Sequence, residues 1–189
     1  VRWAPDGRHV AFTHTLVDRM ELWVASVESG AARRIMGRPL SAAFRGAPFA
    51  WAPDSESLIA RTVPTNRGAA PAEPAVPAGP VIQETSGEAA PARTYQDLLQ
   101  NAHDEALFEY YTTAQVVRVG LDGSTDEIGA PGMIQGMSPS PDGNYVLVQE
   151  LHRPFSYLVP ASRFPTRIHV WDEAGTTVTA VLDKGLLLT

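Results

Sequence analysis

Hydrophobic positions in this chain fall in short runs, each ended by Pro, Asp, Gly or Ser. Val10-Ala11-Phe12, Leu22-Trp23-Val24, Leu58-Ile59-Ala60, Val116-Val117-Arg118-Val119, Tyr145-Val146-Leu147-Val148 and Ile168-His169-Val170-Trp171 are such runs. They are rich in β-branched and aromatic residues, so each predicts a strand. The punctuation between them repeats. Trp3-Ala-Pro-Asp6-Gly7 returns as Trp51-Ala-Pro-Asp54-Ser55 and as Ser140-Pro141-Asp142-Gly143. In this turn Pro presets φ, Asp bonds to the backbone two residues on, and Gly supplies a positive φ. A second turn follows each copy, at Glu28-Ser29-Gly30, Asp122-Gly123-Ser124 and Ala174-Gly175.

Asp6 and Asp54 are 48 residues apart, and Asp54 and Asp142 are 88 apart. Four-stranded blades recur at about 40–50 residues. One second-part turn lies within the longer interval, so the spacing predicts a large insertion rather than a missed copy. The expected fold is all-β: a partial β-propeller of about three four-stranded antiparallel blades, with a helical insertion in the second. Blade one is expected over 1–37, with strands at Arg8–His14, Glu21–Val27 and Ala31–Met36. Blade two is expected over 45–129, with an insertion at 64–114 and strands at Ala47–Trp51, Ser57–Val63, Gln115–Leu121 and Asp126–Ile128. Blade three is expected over 132–183, with strands at Met133–Met137, Asn144–Leu151, Arg167–Trp171 and Thr176–Leu182. Trp3 and Trp51 are expected to fill the gaps between blades. The non-alternating run at Val146–Val148 predicts a strand covered on both faces. Propellers have typically 4–8 blades, so three do not close a ring. The expectation is an arc of a longer protein, with any N-terminal signal outside the chain.

The insertion has two halves. Pro64–Pro91 holds six of the sixteen prolines with many Ala and Gly, which predicts an extended or mobile loop. Thr94-Tyr95-Gln96-Asp97 reads as a capping box. Tyr95, Leu98, Leu99 and Ala102 then share a helical face. Asn101 is placed to cap a second helix through Ala106, Leu107, Tyr110 and Tyr111. One or two short helices across Thr94–Tyr111, packed on the propeller, are expected.

Charge and composition narrow the function. A net charge of −6 and a pI near 5.3 disfavour nucleic acid, since phosphate binding needs clustered cations. No membrane-spanning run is present. Without cysteine the chain has neither a disulfide framework nor a thiolate zinc site, and cytoplasm and periplasm fit equally. Lys184 is the one lysine among fifteen basic residues. That bias suggests the codon usage of a GC-rich genome. No G-x-S-x-G, P-loop, G-x-G-x-x-G or H-E-x-x-H motif occurs. His103-Asp104-Glu105 reads as a solvated helix start with favourable acidic charge. His14 and His169 read as structural histidines within strands, and the turn aspartates as turn formers rather than calcium ligands. No catalytic residue, cofactor or metal site is expected in the chain.

The Trp-Ala-Pro-Asp-Gly units resemble TolB-type propeller repeats. The insertion is more specific. Gly79-Pro80-Val-Ile-Gln83-Glu84, Ala90-Pro91-Ala-Arg93-Thr94-Tyr95-Gln96-Asp97-Leu98-Leu99 and Asp104-Glu105-Ala106-Leu107-Phe108-Glu109-Tyr110-Tyr111 are similar to the propeller of glutamyl endopeptidases. So are His152-Arg153-Pro154-Phe155-Ser156-Tyr157-Leu158-Val159-Pro160 and Arg163-Phe164-Pro165. These enzymes belong to the prolyl oligopeptidase family of serine peptidases and occur in bacteria and chloroplasts, and the resemblance implies a bacterial source. The resemblance implies a propeller that gates peptide access to an α/β-hydrolase domain carrying Ser, Asp and His, a domain absent from these residues. The alternative is a TolB-like propeller acting as a protein-binding module. The family's preference for Glu implies a cationic pocket. Arg pairs a carboxylate bidentately, so Arg93, Arg153 and Arg163, with Tyr157, are the candidate substrate contacts.

Overall fold

The computed structural model describes residues 1–74 and 98–187. It forms two antiparallel sheets. The first is a four-stranded meander of β1 (Arg2–Trp3), β2 (His9–Thr15), β3 (Met20–Ser26) and β4 (Ala32–Arg34). The second holds β5 (Phe49–Trp51), β6 (Ser57–Thr62), β7 (Ala114–Gly120), β8 (Thr125–Pro139), β9 (Val146–Leu151), β10 (Thr166–Trp171) and β11 (Thr177–Lys184). The sheets do not close on each other.

The repeated turns set the strand order. In each copy an amide two residues beyond the aspartate bonds back to its Oδ1. Arg8 donates to Asp6 at 2.9 Å, Glu56 to Asp54 at 2.9 Å and Asn144 to Asp142 at 3.2 Å. Gly7 and Gly143 take the positive φ the turn requires, at 71° and 79°. Ser55 takes it without being glycine, at 61°. Its hydroxyl accepts the Asp6 amide at 3.1 Å, so the strained residue also ties the first two turns together.

The expected strands at Asp126–Ile128 and Met133–Met137 are one strand. β8 pairs β7 from Thr125 to Gly132, then β9 from Met133 to Pro139. It is the last strand of the second blade and the first of the third, so those blades share a sheet. A bulge between Ile134 and Gly136 bends it as it enters the third blade.

The blades stack as three layers, and burial follows the layering. All six residues of β6, in the middle layer, are buried. One face of the second blade packs on the first through Leu22, Val24, Trp51, Leu58 and Val119. The other packs on the third through Ile59, Val116, Ile134, Val146, Val148 and Trp171. Among the described residues the third blade is covered on one side, so the expectation for Val146–Val148 is corrected. Val146 and Val148 are buried, whereas Leu147 between them is 44% exposed. Trp51 is buried, and its Nε1 donates to the Arg2 carbonyl at 3.1 Å. Trp3 does not fill an interblade gap: it is 64% exposed, because among the described residues no sheet covers that side of β1.

One helix is described, α1 (Ala102–Thr112). Asn101 caps it as its position predicts, accepting the Asp104 amide at 3.0 Å. Leu98 and Leu99 precede the cap in irregular backbone rather than on a helical face. The Thr94–Asp97 capping box, Arg93 and most of the proline-rich half lie outside the described residues. No described helix is long and apolar enough to cross a membrane.

Candidate functional site

Two places concentrate charge in contact with the fold. The first is the seat of α1. Phe108 meets Phe155 and Phe164 edge-on, at centroid distances of 5.2 and 5.7 Å. These rings form an apolar cluster with Met133, Leu151 and Val159. They anchor the helix to the segment that joins β9 to β10. Arg153 closes the seat from outside. It reaches Glu105 at 2.6 Å and Glu109 at 2.9 Å, two carboxylates one helical turn apart, and lies 4.6 Å over the Phe155 ring. Both carboxylates raise the Arg153 pKa by bonding to its cation. Glu105 is therefore not a solvated helix-start residue but half of a clamp. On the opposite side Arg67 donates to the Tyr110 carbonyl at 2.7 Å and stacks on the Tyr110 ring at 4.2 Å.

The other described candidates border this seat. Tyr157 is half-buried, and its phenol is held above its ordinary pKa by burial and then by the neighbouring Glu105. Arg163 ends a 3-10 turn, Ala161–Arg163, which also borders the second place. Its guanidinium makes no hydrogen bond or ion pair among the described residues. Arg153 and Tyr157 thus come together around Glu105. Arg93 lies outside the described residues.

The second place is the inner edge of the blades, where β1, β5 and the second half of β8 stand side by side. Sequence reasoning missed its central residue, Arg61. This arginine ends the apolar run of β6 and is 2% exposed. Its Nη1 donates to the carbonyls of Ile134 at 2.8 Å and Gln135 at 2.7 Å, both at the β8 bulge. A cavity of about 380 Å³ opens beside it, lined also by Arg2, Arg45, Trp3, Trp51 and Gln135. A neighbouring cavity of about 410 Å³ shares Arg45 and Gln135 and reaches Ala161 and Ser162. The available signal was an arginine in a run otherwise free of charge, Ser57–Val63. It reads equally well as a polar strand end.

His14 and His169 have structural surroundings. His14 sits edge-on to Trp23 at 5.6 Å. His169 is buried 3.6 Å from Glu150, and desolvation lowers its pKa.

An open stack of four-stranded antiparallel blades defines a β-propeller segment. The solved structures similar to it agree. TolB from Acinetobacter baumannii aligns over 96% of this chain and 31% of its own, with a TM-score of 0.53 at 14% identity. Pyrococcus horikoshii acylaminoacyl peptidase aligns over 97% of this chain and 25% of its own, with a TM-score of 0.52 at 18% identity. No protein-family model matches.

By sequence, the chain is homologous over nearly its whole length to the glutamyl endopeptidases. A probable chloroplastic glutamyl endopeptidase of Oryza sativa subsp. japonica is 40% identical over 197 aligned residues, 98% of this chain. Its counterpart in Arabidopsis thaliana is 38% identical over the same share. The chain spans about a fifth of either relative, 21% and 20%. The expected bacterial source finds no support here, since both relatives are plant proteins.

Proposed function

We propose that the chain is the propeller segment of a serine peptidase resembling glutamyl endopeptidase, which scaffolds a Ser-Asp-His hydrolase domain and gates the entry of peptides to it. The observation behind this reading is the 98% coverage by relatives about five times longer, with the insertion included in the match. The 189 residues contain no G-x-S-x-G, so the reading assigns the chemistry to sequence outside them. Arg163 and Tyr157, with Arg93, are the proposed contacts for a substrate carboxylate. Arg153 could join them only by releasing Glu105 or Glu109, and its first role is to seat α1.

The test uses the full-length protein from the parent gene. A serine-reactive fluorophosphonate should label it outside this segment, and it should cleave Glu-containing peptides. Replacing Arg163 by Ala should lower kcat/KM for a Glu substrate by about 2–5 kcal/mol, the scale for losing one partner of a buried charge pair. An uncharged substrate should lose much less. Absence of labelling, or label on a serine of this segment, would overturn the assignment.

A further inference from the structure

His152 opens the segment that joins β9 to β10, and its ring is held from two sides. Nδ1 lies 2.7 Å from the Arg153 carbonyl oxygen, and Nε2 lies 3.0 Å from Asp183 Oδ1 on β11. Neither oxygen has a proton to give. One is a carbonyl. The other belongs to a carboxylate held below its ordinary pKa range, first by its bond to His152 and then by Arg167. A neutral imidazole has one N–H and one bare nitrogen. With the proton on Nδ1, the bare Nε2 faces the carboxylate. With it on Nε2, the bare Nδ1 faces the carbonyl. Both contacts are hydrogen bonds only when the ring carries two protons and a positive charge.

The other charges on the elements around the ring are turned elsewhere. Arg167 on β10 reaches the second oxygen of Asp183, at 3.1 and 3.2 Å. Glu150 on β9 lies 3.6 Å from His169. Arg153 points to Glu105 and Glu109 on α1. Lys184 on β11 and Arg163 in the 3-10 turn make no ion pair among the described residues.

Two consecutive residues therefore tie this segment in two directions. His152 ties it to the outer strand of the third blade, and Arg153 ties it to the helix in the insertion of the second. Their bonds are joined, because the carbonyl that the ring holds belongs to the residue whose guanidinium clamps α1.

We propose that His152 is a proton-dependent latch for α1: the doubly protonated ring fixes residue 153 and, through it, the helix, and loss of one ring proton slackens both. A partner gained by the charged form of a histidine stabilises at low pH. That contribution is lost as pH rises through the range in which histidine titrates, about 5 to 8. Asp183 and Arg153 keep their charges across that range, so the ring is the part that switches. The latch does not rest on the peptidase reading.

The experiment uses the full-length protein. Hydrogen exchange read by mass spectrometry is compared at about pH 5.5 and about pH 8, after correction for the intrinsic pH dependence of amide exchange. Peptides covering 102–112, 152–165 and 181–184 should open about threefold more at the higher pH, the scale for a part-exposed ion pair. His152→Gln, whose amide donates to Asp183 at either pH, should remove the difference, and Asp183→Asn should remove it from the other side. His169→Gln should leave it in place. Equal opening at both pH values in the wild type, or a difference that survives His152→Gln, would overturn the latch. A difference over 152–165 with none over 102–112 would overturn its reach to α1. Fluorophosphonate labelling reports separately on the peptidase reading.

Discussion

Alanine at Gly175 should destabilise the junction of the second and third blades, by an amount that follows from its surroundings. Gly175 has φ +81°, a region in which an L side chain costs about 1–2 kcal/mol. A Cβ there would also meet the amide nitrogen and Cα of Gly129, and the Ile128 carbonyl carbon at 2.8 Å. All three are backbone atoms and cannot rotate aside. They are also fixed in place, because the Gly129 amide donates to the Ala174 carbonyl at 3.1 Å. Overpacking of this kind costs about 1–3 kcal/mol, so the sum is about 2–5 kcal/mol. Gly7→Ala is the control. Its φ is +71°, but nothing lies within 4 Å of its Cβ position, so only the conformational cost of about 1–2 kcal/mol applies. Hydrogen exchange read by mass spectrometry can localise the effect. Peptides covering 126–132 and 172–176 should exchange at least roughly 30-fold faster in Gly175→Ala, the factor set by 2 kcal/mol. If Gly175→Ala opens this junction no more than Gly7→Ala opens its own turn, the close approach is not a constraint and the reasoning fails.

The two tryptophans of the repeat should differ sharply: Trp51→Ala should cost about 3–5 kcal/mol in urea unfolding, the range for a buried Trp, whereas Trp3→Ala should stay within about 0.5 kcal/mol. A comparable loss at Trp3 would mean that another part of the full protein covers it. Glu21 accepts bonds from Trp23 Nε1, Arg19 and Arg34, each at 3.0 Å, and the Trp23 bond leads in holding its pKa at about 2 instead of 4.5. A depressed carboxylate stabilises the fold above its unfolded pKa, and that contribution is lost as pH falls from 4.5 towards 2. Glu21→Gln should therefore flatten the acid limb of stability in that window. An unchanged limb in urea titrations across it would refute the assignment.

What the sequence disclosed was local. The turn aspartates and glycines act within a few residues, and Asn101 caps the helix three residues from its donor, so each was legible. Burial was not legible, because it depends on the neighbouring blade. Trp3 and Trp51 have the same local sequence, yet among the described residues only Trp51 has a sheet against it. Leu147 lies in an unbroken apolar run, yet it faces out because, among the described residues, the third blade has one covered side. The charged sites were hidden for a related reason. Arg153 lies 44 residues from Glu109, and Arg61 lies 73 from Ile134. No periodicity links such pairs.

The hairpin of β6 and β7 also has a consequence for how the chain folds. Its strands pair Thr62 with Gln115 across the whole insertion. Closing a loop of that length rather than a four-residue turn costs about 2 kcal/mol more in chain entropy. Arg67 and Gly68 meet Tyr110 further inside the loop, so the same closure secures them as well. The hairpins of the first blade close over short turns, and the 14-residue connection from β9 to β10 in the third costs about 1 kcal/mol, half as much. The middle blade, which supplies a face to both interblade cores, should therefore be the last to zip up, and the outer blades should wait for it with their apolar sides open. Substitutions that stiffen the insertion in its folded form would speed assembly, while leaving the strands themselves untouched.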